Sequence, residues 1–393
     1  MSEKITFFNK LIKVKVKPED FIVKEIINLP LKEKGEYAVY LLEKKNFNTL
    51  DVIYLLQKKY KFGKIYRLGL KDRYSYSFQY LASKTVRKEI IKEKNFSVSL
   101  IGFVERPLKN ENLLGNYFQI TIRDLKKEEG ERIIYNFWET RINGFPNFYG
   151  EQRMGSARHK EGFIGYYLIK KDYEKALKLF LATPSPFDES KVKKFKKFLK
   201  ENWGNWQEAR KLAFREYLPV INYLVDNKMD YKGAFKKIPY ELLSIFINAY
   251  QAYIWNETLN LYLKKLEIPL FPVKYRFGEL YFYKDLPLFI KEKLLNLFIP
   301  APSPKIKERN EITEIMEEIL KKETLSLKEL KIKLKIRGLY FKPYLRKAVV
   351  LPTEMQSSEL LIDELYKGKY KIILNFFLPA GSYATIFIKR LTI

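Results

Sequence analysis

Gly69-Leu70-Lys71-Asp72-Arg73, with Gln79 six residues further on, sets one carboxylate between two cations just after a glycine. Flanking positive charge lowers a carboxyl pKa and keeps the group ionised, as a carboxylate nucleophile must be. The same residues also read as an ordinary turn aspartate in a basic protein, and local chemistry leaves both readings open. What else could react is limited by composition. The chain has one histidine, His159, and no cysteine. Zinc deaminase, zinc protease and Cys-His arrangements therefore lack their residues, and no metal site is expected. A Ser-His-Asp triad would need His159, which lies in the basic run Arg158-His159-Lys160 and is expected to be exposed or to face RNA. No G-x-G and no G-x-x-x-x-G-K-S/T occurs, so neither kind of phosphate-binding loop is visible. Carboxylates, hydroxyls and amines remain.

The elements that must hold Asp72 show in the periodicity. Residues 12–17 alternate strictly, which predicts a strand carrying Lys13, Lys15 and Lys17 on one face, ended by Pro18. Residues 49–60 predict an amphipathic helix with Val52, Leu55, Leu56 and Tyr60 on one side. Residues 116–123 alternate again and put Asn116, Phe118, Ile120 and Ile122 on one face. From about residue 162 the texture is helical, notably over 173–181 and 239–263. Ile312, Ile315, Met316, Ile319 and Leu320 form a further stripe, with Asn310 as its N-cap. The Lys-rich stretch 188–210 reads as a solvated helix face, and 271–304 as an irregular connection or short strands. β texture returns in 372–378 and 385–391, on either side of Pro379-Ala380-Gly381-Ser382. Strands near the C-terminus need sheet partners, so a helix-rich insertion within one α+β domain is expected.

Composition sets the class of partner. The 393 residues suffice for two cored units, and 47% are hydrophobic. Against 46 Asp and Glu stand 74 Lys and Arg, a formal net charge of +28. Such an excess repels itself in a compact chain and points to a polyanion, nucleic acid ahead of a membrane surface. A Lys-rich proteome would also yield a basic chain. The 29 Tyr and 29 Phe could stack on unpaired bases beside the cations, although most rings must be core. The absence of cysteine argues against an oxidising compartment. Without an apolar signal core or a run of about 18 apolar residues, a soluble, cytoplasmic protein is expected. Plentiful Lys, Glu, Ile and Tyr suits a heat-adapted chain.

Four ordered motifs resemble the TruD family of pseudouridine synthases. Pro18-Glu19-Asp20-Phe21-Ile22-Val23 is similar to the family's P-E-D-F-x-V, and the Gly69–Gln79 segment to its G-x-K-D-R/K-x-A-x-T-x-Q. Gly144-Phe145-Pro146-Asn147-Phe148-Tyr149-Gly150-Glu151-Gln152-Arg153-Met154-Gly155 resembles G-x-P-N-Y/F-F/Y-G-x-Q-R-F-G. Leu378-Pro379-Ala380-Gly381-Ser382-Tyr383-Ala384-Thr385 resembles L-P-x-G-S-F/Y-A-T, and Asn116-Tyr117-Phe118 the family's N-x-F. The departures are Ser75 and Ser77 for Ala and Thr, Met154 for Phe, and Lys389-Arg390-Leu391 for R-E-L.

The resemblance implies an α+β fold: a mixed, largely antiparallel sheet flanked by helices, built from 1–158 plus 350–393, with a helix-rich TRUD insertion over 159–349. It implies a tRNA pseudouridine synthase acting on uridine 13, a monomer with tRNA as partner and no cofactor. Asp72 would be the nucleophile and Lys15 its ion-pair partner. Phe118 would stack on the target base beside Asn116, and Lys71, Arg73, Gln79, Gln152 and Arg153 would contact RNA. Gln152 and Arg153 also read as a structural hinge, and the C-terminal motif as architectural support. A TruD-like RNA-binding or RNA-folding protein without catalysis, and a generic basic binding module, are the alternatives; intact Asp72 and the motif order stand against them.

Overall fold

Alternating apolar residues build a mixed sheet of twelve strands. The computed structural model describes residues 3–7, 10–155, 158–159, 161–185 and 188–393, with 3–7, 10–11 and 158–159 described by backbone alone. Nine strands come first: β1 (Glu3–Phe7), β2 (Lys10–Val14), β3 (Phe21–Ile27), β4 (Tyr37–Lys45), β5 (Ile65–Arg67), β6 (Tyr76–Ser83), β7 (Ile91–Glu93), β8 (Phe96–Val104) and β9 (Leu113–Leu125). Helices α1 (Thr49–Lys58) and α2 (Lys127–Asn143) accompany them. The middle of the chain carries α3 (Ile164–Lys170), α4 (Tyr173–Leu181), α5 (Ser190–Glu201), α6 (Trp206–Leu212), α7 (Leu218–Asp226), α8 (Tyr231–Phe235), α9 (Tyr240–Lys265), α10 (Leu288–Asn296) and α11 (Glu311–Lys322). Short strand pairs join these helices. They are β10 (Phe145–Pro146) with β17 (Val349–Val350), β11 (Arg158–His159) with β12 (Gly162–Phe163), β13 (Phe271–Tyr275) with β14 (Gly278–Phe282), and β15 (Phe298–Pro300) with β16 (Leu345–Lys347). The chain then returns to the sheet through β18 (Thr353–Ser357), β19 (Leu361–Ile362) and β20 (Tyr370–Pro379), and continues in α12 (Ala384–Leu391).

Across the sheet the order is β7-β8-β4-β6-β3-β9-β20, with β18 and β19 beyond β20. Among the described residues, only β3 and β6 run parallel. The long register of β20 on β9 joins late residues to early ones, as the return of β texture predicts. Gly115 permits this pairing, because a Cβ there would collide with the Leu378 carbonyl and the Phe377 ring. One apolar core runs from the sheet through Phe137 and Phe387 into α9, where Tyr250, Trp255 and Leu259 are buried. That helix is apolar on most of its circumference, as a helix enclosed by others must be.

Three local expectations change. Residues 12–17 do not continue as a strand: β2 ends at Val14, and Lys15 takes φ 58°. That left-handed step breaks the alternation and turns Lys15 inward. Residues 385–391 are helix, not strand. Ala384, Phe387, Ile388 and Leu391 fall on one helical face, and Phe387 packs against Phe376 with ring centroids 4.6 Å apart. The β-branched residues there favour a strand locally, and burial overrides that preference. Residues 271–304 hold α10 in addition to short strands. The helices over 49–58, 173–181 and 311–322 lie where the periodicity predicts, and Asn310 caps the last through Thr313 N at 3.0 Å.

Candidate active site

Sheet register assembles the site. Residues directly opposite on neighbouring strands share a face. Phe376, Phe118, Val23, Ser77 and Lys44 therefore form one row across β20, β9, β3, β6 and β4. Beside this row, Asn116 of β9 stands opposite Glu25 of β3, and Leu42 of β4 opposite Gln79 of β6. The loop between β5 and β6 folds over these residues and brings Asp72 above the row.

The loop is held from below at several points. The Asp72 carbonyl accepts hydrogen bonds from Lys44 Nζ and from Ser75 Oγ, both at 2.8 Å. Gln79 is wholly buried: its Nε2 donates to the Gly69 carbonyl at 3.4 Å, and its Oε1 accepts from Thr49 Oγ1 at 2.8 Å. Lys71 turns inward, where its ammonium pairs with Glu25 at 2.8 Å and donates to Asn116 Oδ1 at 2.8 Å. Gly69 takes no left-handed φ, and its missing Cβ leaves ordinary clearance to Lys71 and Glu25.

Lys15 Nζ lies 2.7 Å from Asp72 Oδ2 and 4.1 Å from the centre of the Phe21 ring. The Lys15 side chain is 4% exposed and that of Asp72 25%, so the carboxylate is the partner that meets the cavity. Burial pushes the Asp72 carboxyl up. The charge and hydrogen bond of Lys15, a hydrogen bond from Gln152 and the charge of Lys44 outweigh it, so the group ends below its ordinary value. Burial lowers Lys44 to about 8, with Asp72 opposing the shift and Lys71 adding to it. Three ammonium groups thus stand against the two carboxylates of Asp72 and Glu25, an arrangement suited to an anion forming in the cavity.

The cavity has a volume of about 160 Å³. Phe21, Val23 and Phe118 form its apolar wall; Lys71, Asp72, Ser75 and Asn116 line it beneath the loop; Gln152 and residues 382–385 close it. Phe118 is 6% exposed, stacked on Phe376 at 5.4 Å and edge-on to Phe21 at 6.0 Å. Such a slot with one flat apolar wall and a carboxylate at its base can take a planar heterocycle with its sugar carbon beside the anion. A larger depression of about 640 Å³ lies at Tyr117, Arg141 and residues 351–356, with Arg141 and Glu354 as its charged lining residues. It offers no comparable convergence of reactive groups.

Among the expected site residues, the structure gathers Lys15, Asp72, Asn116, Phe118, Lys71 and Gln152. Gln79 and Lys71, expected on RNA, are engaged inside, so they support the loop and do not project from it. Arg73 is exposed beside Tyr74. Arg153 is half-buried and acts electrostatically on Tyr383. The side chain of His159 lies outside the described residues. Sequence periodicity missed Lys44 and Glu25, each a charge in phase with buried apolar neighbours: Lys44 with Tyr40 and Leu42, Glu25 with Phe21 and Val23. That phase mismatch was the available signal. Ser382–Thr385, read as architecture, also line the cavity.

The glycine-rich block and the C-terminal motif meet around Arg346 of β16. Its guanidinium donates to the Asn147 carbonyl at 2.7 Å, to Asn147 Oδ1 at 2.8 Å and to the Gly381 carbonyl at 2.8 Å, and lies 4.0 Å from the Tyr149 ring. Asn256 of α9 bonds both backbone groups of Tyr149, at 2.8 and 3.0 Å. These contacts fix the segment that delivers Gln152.

A model of the family "tRNA pseudouridine synthase D (TruD)" matches residues 11–270 and 287–391. Probable tRNA pseudouridine synthase D 1 of Methanococcus maripaludis is 33% identical over 96% of this chain and 99% of its own length. tRNA pseudouridine synthase D of Aquifex aeolicus is 33% identical over 97% of this chain and 98% of its own. The crystal structure of a putative tRNA pseudouridine synthase D from Methanosarcina mazei superposes with a TM-score of 0.70 at 26% identity. It covers all of this chain and 94% of that one.

Proposed function

Because the chain belongs to the TruD family of tRNA pseudouridine synthases, we propose that it isomerises uridine 13 of tRNA to pseudouridine with Asp72 as nucleophile. The observation that carries this reading is the Asp72 carboxylate, kept ionised by Lys15 at 2.7 Å at the base of a cavity walled by Phe118. The target uridine enters with its base against Phe118, where one base–aromatic stack contributes roughly 1–3 kcal/mol. An Asp72 oxygen bonds to C1′ as the C1′–N1 bond breaks, and the electron pair stays on the departing uracil. The surplus of ammonium charge steadies that anion. The base turns, C5 bonds to C1′ and the carboxylate leaves. C5 loses its proton and N1 gains one, so substrate and product are isomers and no redox partner or cofactor is consumed. The Asn116 amide, positioned through its Oδ1 by Lys71, directs N–H towards a uracil carbonyl. The catalytic unit is formed by 1–158 and 350–393, and the intervening helices grip the rest of the tRNA as a monomer.

The decisive variant is Asp72→Asn, which keeps size and hydrogen bonding without a nucleophilic oxygen. Product mapping on an unmodified tRNA transcript should show pseudouridine at position 13 with the unaltered enzyme and none with the variant, while tRNA affinity stays within about twofold. Wild-type turnover by Asp72→Asn would remove the nucleophile assignment. Product at another position would refute the assigned target.

A further inference from the structure

We propose that Lys44 is a positioning residue for the Asp72 nucleophile: its buried ammonium clamps the Asp72 peptide from beneath and stands as a second cation behind the carboxylate. This rests on Asp72 being the nucleophile.

Lys44 is 1% exposed, although lysine is almost never fully buried without a partner. An alternating strand with Tyr40 and Leu42 in the apolar phase has room for a third apolar side chain, and an apolar residue there would avoid desolvating a charge. The ammonium instead donates to the carbonyl of the catalytic residue itself, at 2.8 Å, where Ser75 Oγ also donates. Two donors on one carbonyl fix the peptide plane, and with it the direction in which the Asp72 side chain leaves the backbone. Lys15 grips the far end of the same residue at its carboxylate. Asp72 is therefore held at both ends by different lysines, from β4 and from the residue following β2.

The charged groups acting on Lys44 come from the loop: Asp72 stabilises its charge and Lys71 opposes it. Behind these stand Lys15, paired with Asp72, and Glu25, paired with Lys71. Opposite Lys44 on the neighbouring strands are Ser77 and Phe96, which carry no charge. Burial leaves the ammonium titrating at about 8, while Asp72 stays ionised well below that. The clamp is complete while Lys44 is protonated and weakens as pH rises through about 8.

The test compares pH profiles of kcat for pseudouridine formation in the full-length enzyme, Lys44→Met, Lys44→Arg and Asp72→Asn, together with tRNA affinity and thermal melting. The native enzyme should lose kcat as pH rises through about 8. Lys44→Met, which keeps the length and apolar stem, should lower kcat about 10- to 100-fold with affinity within about twofold, and should lack that alkaline limb. Lys44→Arg should recover part of kcat and carry it to higher pH, since a guanidinium keeps its proton. Native kcat and limb in Lys44→Met would overturn the proposal. So would a loss of kcat that only tracks the folded fraction while the limb persists. Activity in Asp72→Asn would instead overturn the nucleophile assignment, and this proposal with it.

Discussion

The charge of Asp72 is decided by neighbours far away in sequence. Burial alone would favour its protonated form, and Lys15 reverses that preference. A carboxylate held below its ordinary pKa stays ionised throughout the neutral range and loses activity only as pH falls through the lowered value. In Lys15→Met the opposing burial remains while the main compensation goes. The acid limb of kcat/KM should then climb towards neutrality, with activity at neutral pH falling about 10- to 100-fold. A pH–rate profile for Lys15→Met that overlays the native one would show that the 2.7 Å contact has no part in ionising Asp72. Phe118→Leu keeps apolar packing on Phe376 but removes the ring face. It should raise KM or lower kcat/KM by about tenfold or more, read from initial rates on a tRNA transcript. An unchanged kcat/KM would place the base elsewhere.

At the scale of elements, the sheet is tied to its late strands by buried charge. Arg123 of β9 is 2% exposed and donates to Asp20 at 2.9 Å and to Asp363 at 2.8 Å, both buried, with Glu364 at 3.0 Å on the rim. Asp20 belongs to the Pro-Glu-Asp-Phe motif, so that block serves the joint between β3, β9 and the β19–β20 hairpin. Removing the guanidinium leaves two carboxylates without their cation in a dry site. Arg123→Met should cost about 3–5 kcal/mol in a denaturant titration, whereas an exposed pair such as Lys32–Glu105 should be worth at most about 1 kcal/mol. Equal losses from both would mean that the Arg123 cluster is not dry in solution.

Over the whole molecule, the +28 charge favours a polyanionic partner. Part of the excess gathers on the helical region, where Lys232, Lys236, Lys237 and Lys335 surround a depression of about 300 Å³ with Asp230 as the one carboxylate in its lining. Nearby, the charges of Lys171, Lys331 and Lys232 push Lys333 below its ordinary value. Crowded ammonium groups gain from a phosphate backbone, so log K for tRNA should fall by about 0.7–0.9 per contacted phosphate for each tenfold rise in salt. Replacing Lys232, Lys236 and Lys335 with glutamine should make that slope shallower and leave the pseudouridine position unchanged. A slope identical to that of the native enzyme would assign the tRNA contacts to another face. Among the described residues, no helix is long and apolar enough to cross a membrane.

The sequence by itself determined what is local or linear: the absence of thiols, the large net positive charge, the helices over 49–58 and 311–322, the strand alternation around Phe118, and the four motifs. It also singled out Asp72 as a candidate, although local chemistry left an ordinary turn aspartate open and the motif resemblance weighted the choice. Tertiary structure decided which cations reach it. Lys71, adjacent in sequence, turns to Glu25 and Asn116, while Lys15 arrives from the step after β2 and Lys44 from β4. Period-two patterning says that Lys44 and Glu25 share a phase with buried residues, but not that β4 and β3 both flank β6 in a register that puts them under one loop. The left-handed step at Lys15 and the helix at Ala384–Leu391 escaped for the same reason. Each is locally disfavoured, and each is held by contacts between residues more than fifty positions apart: the Lys15–Asp72 pair, and the Asn136 amide of α2 on the Leu391 carbonyl at 3.0 Å.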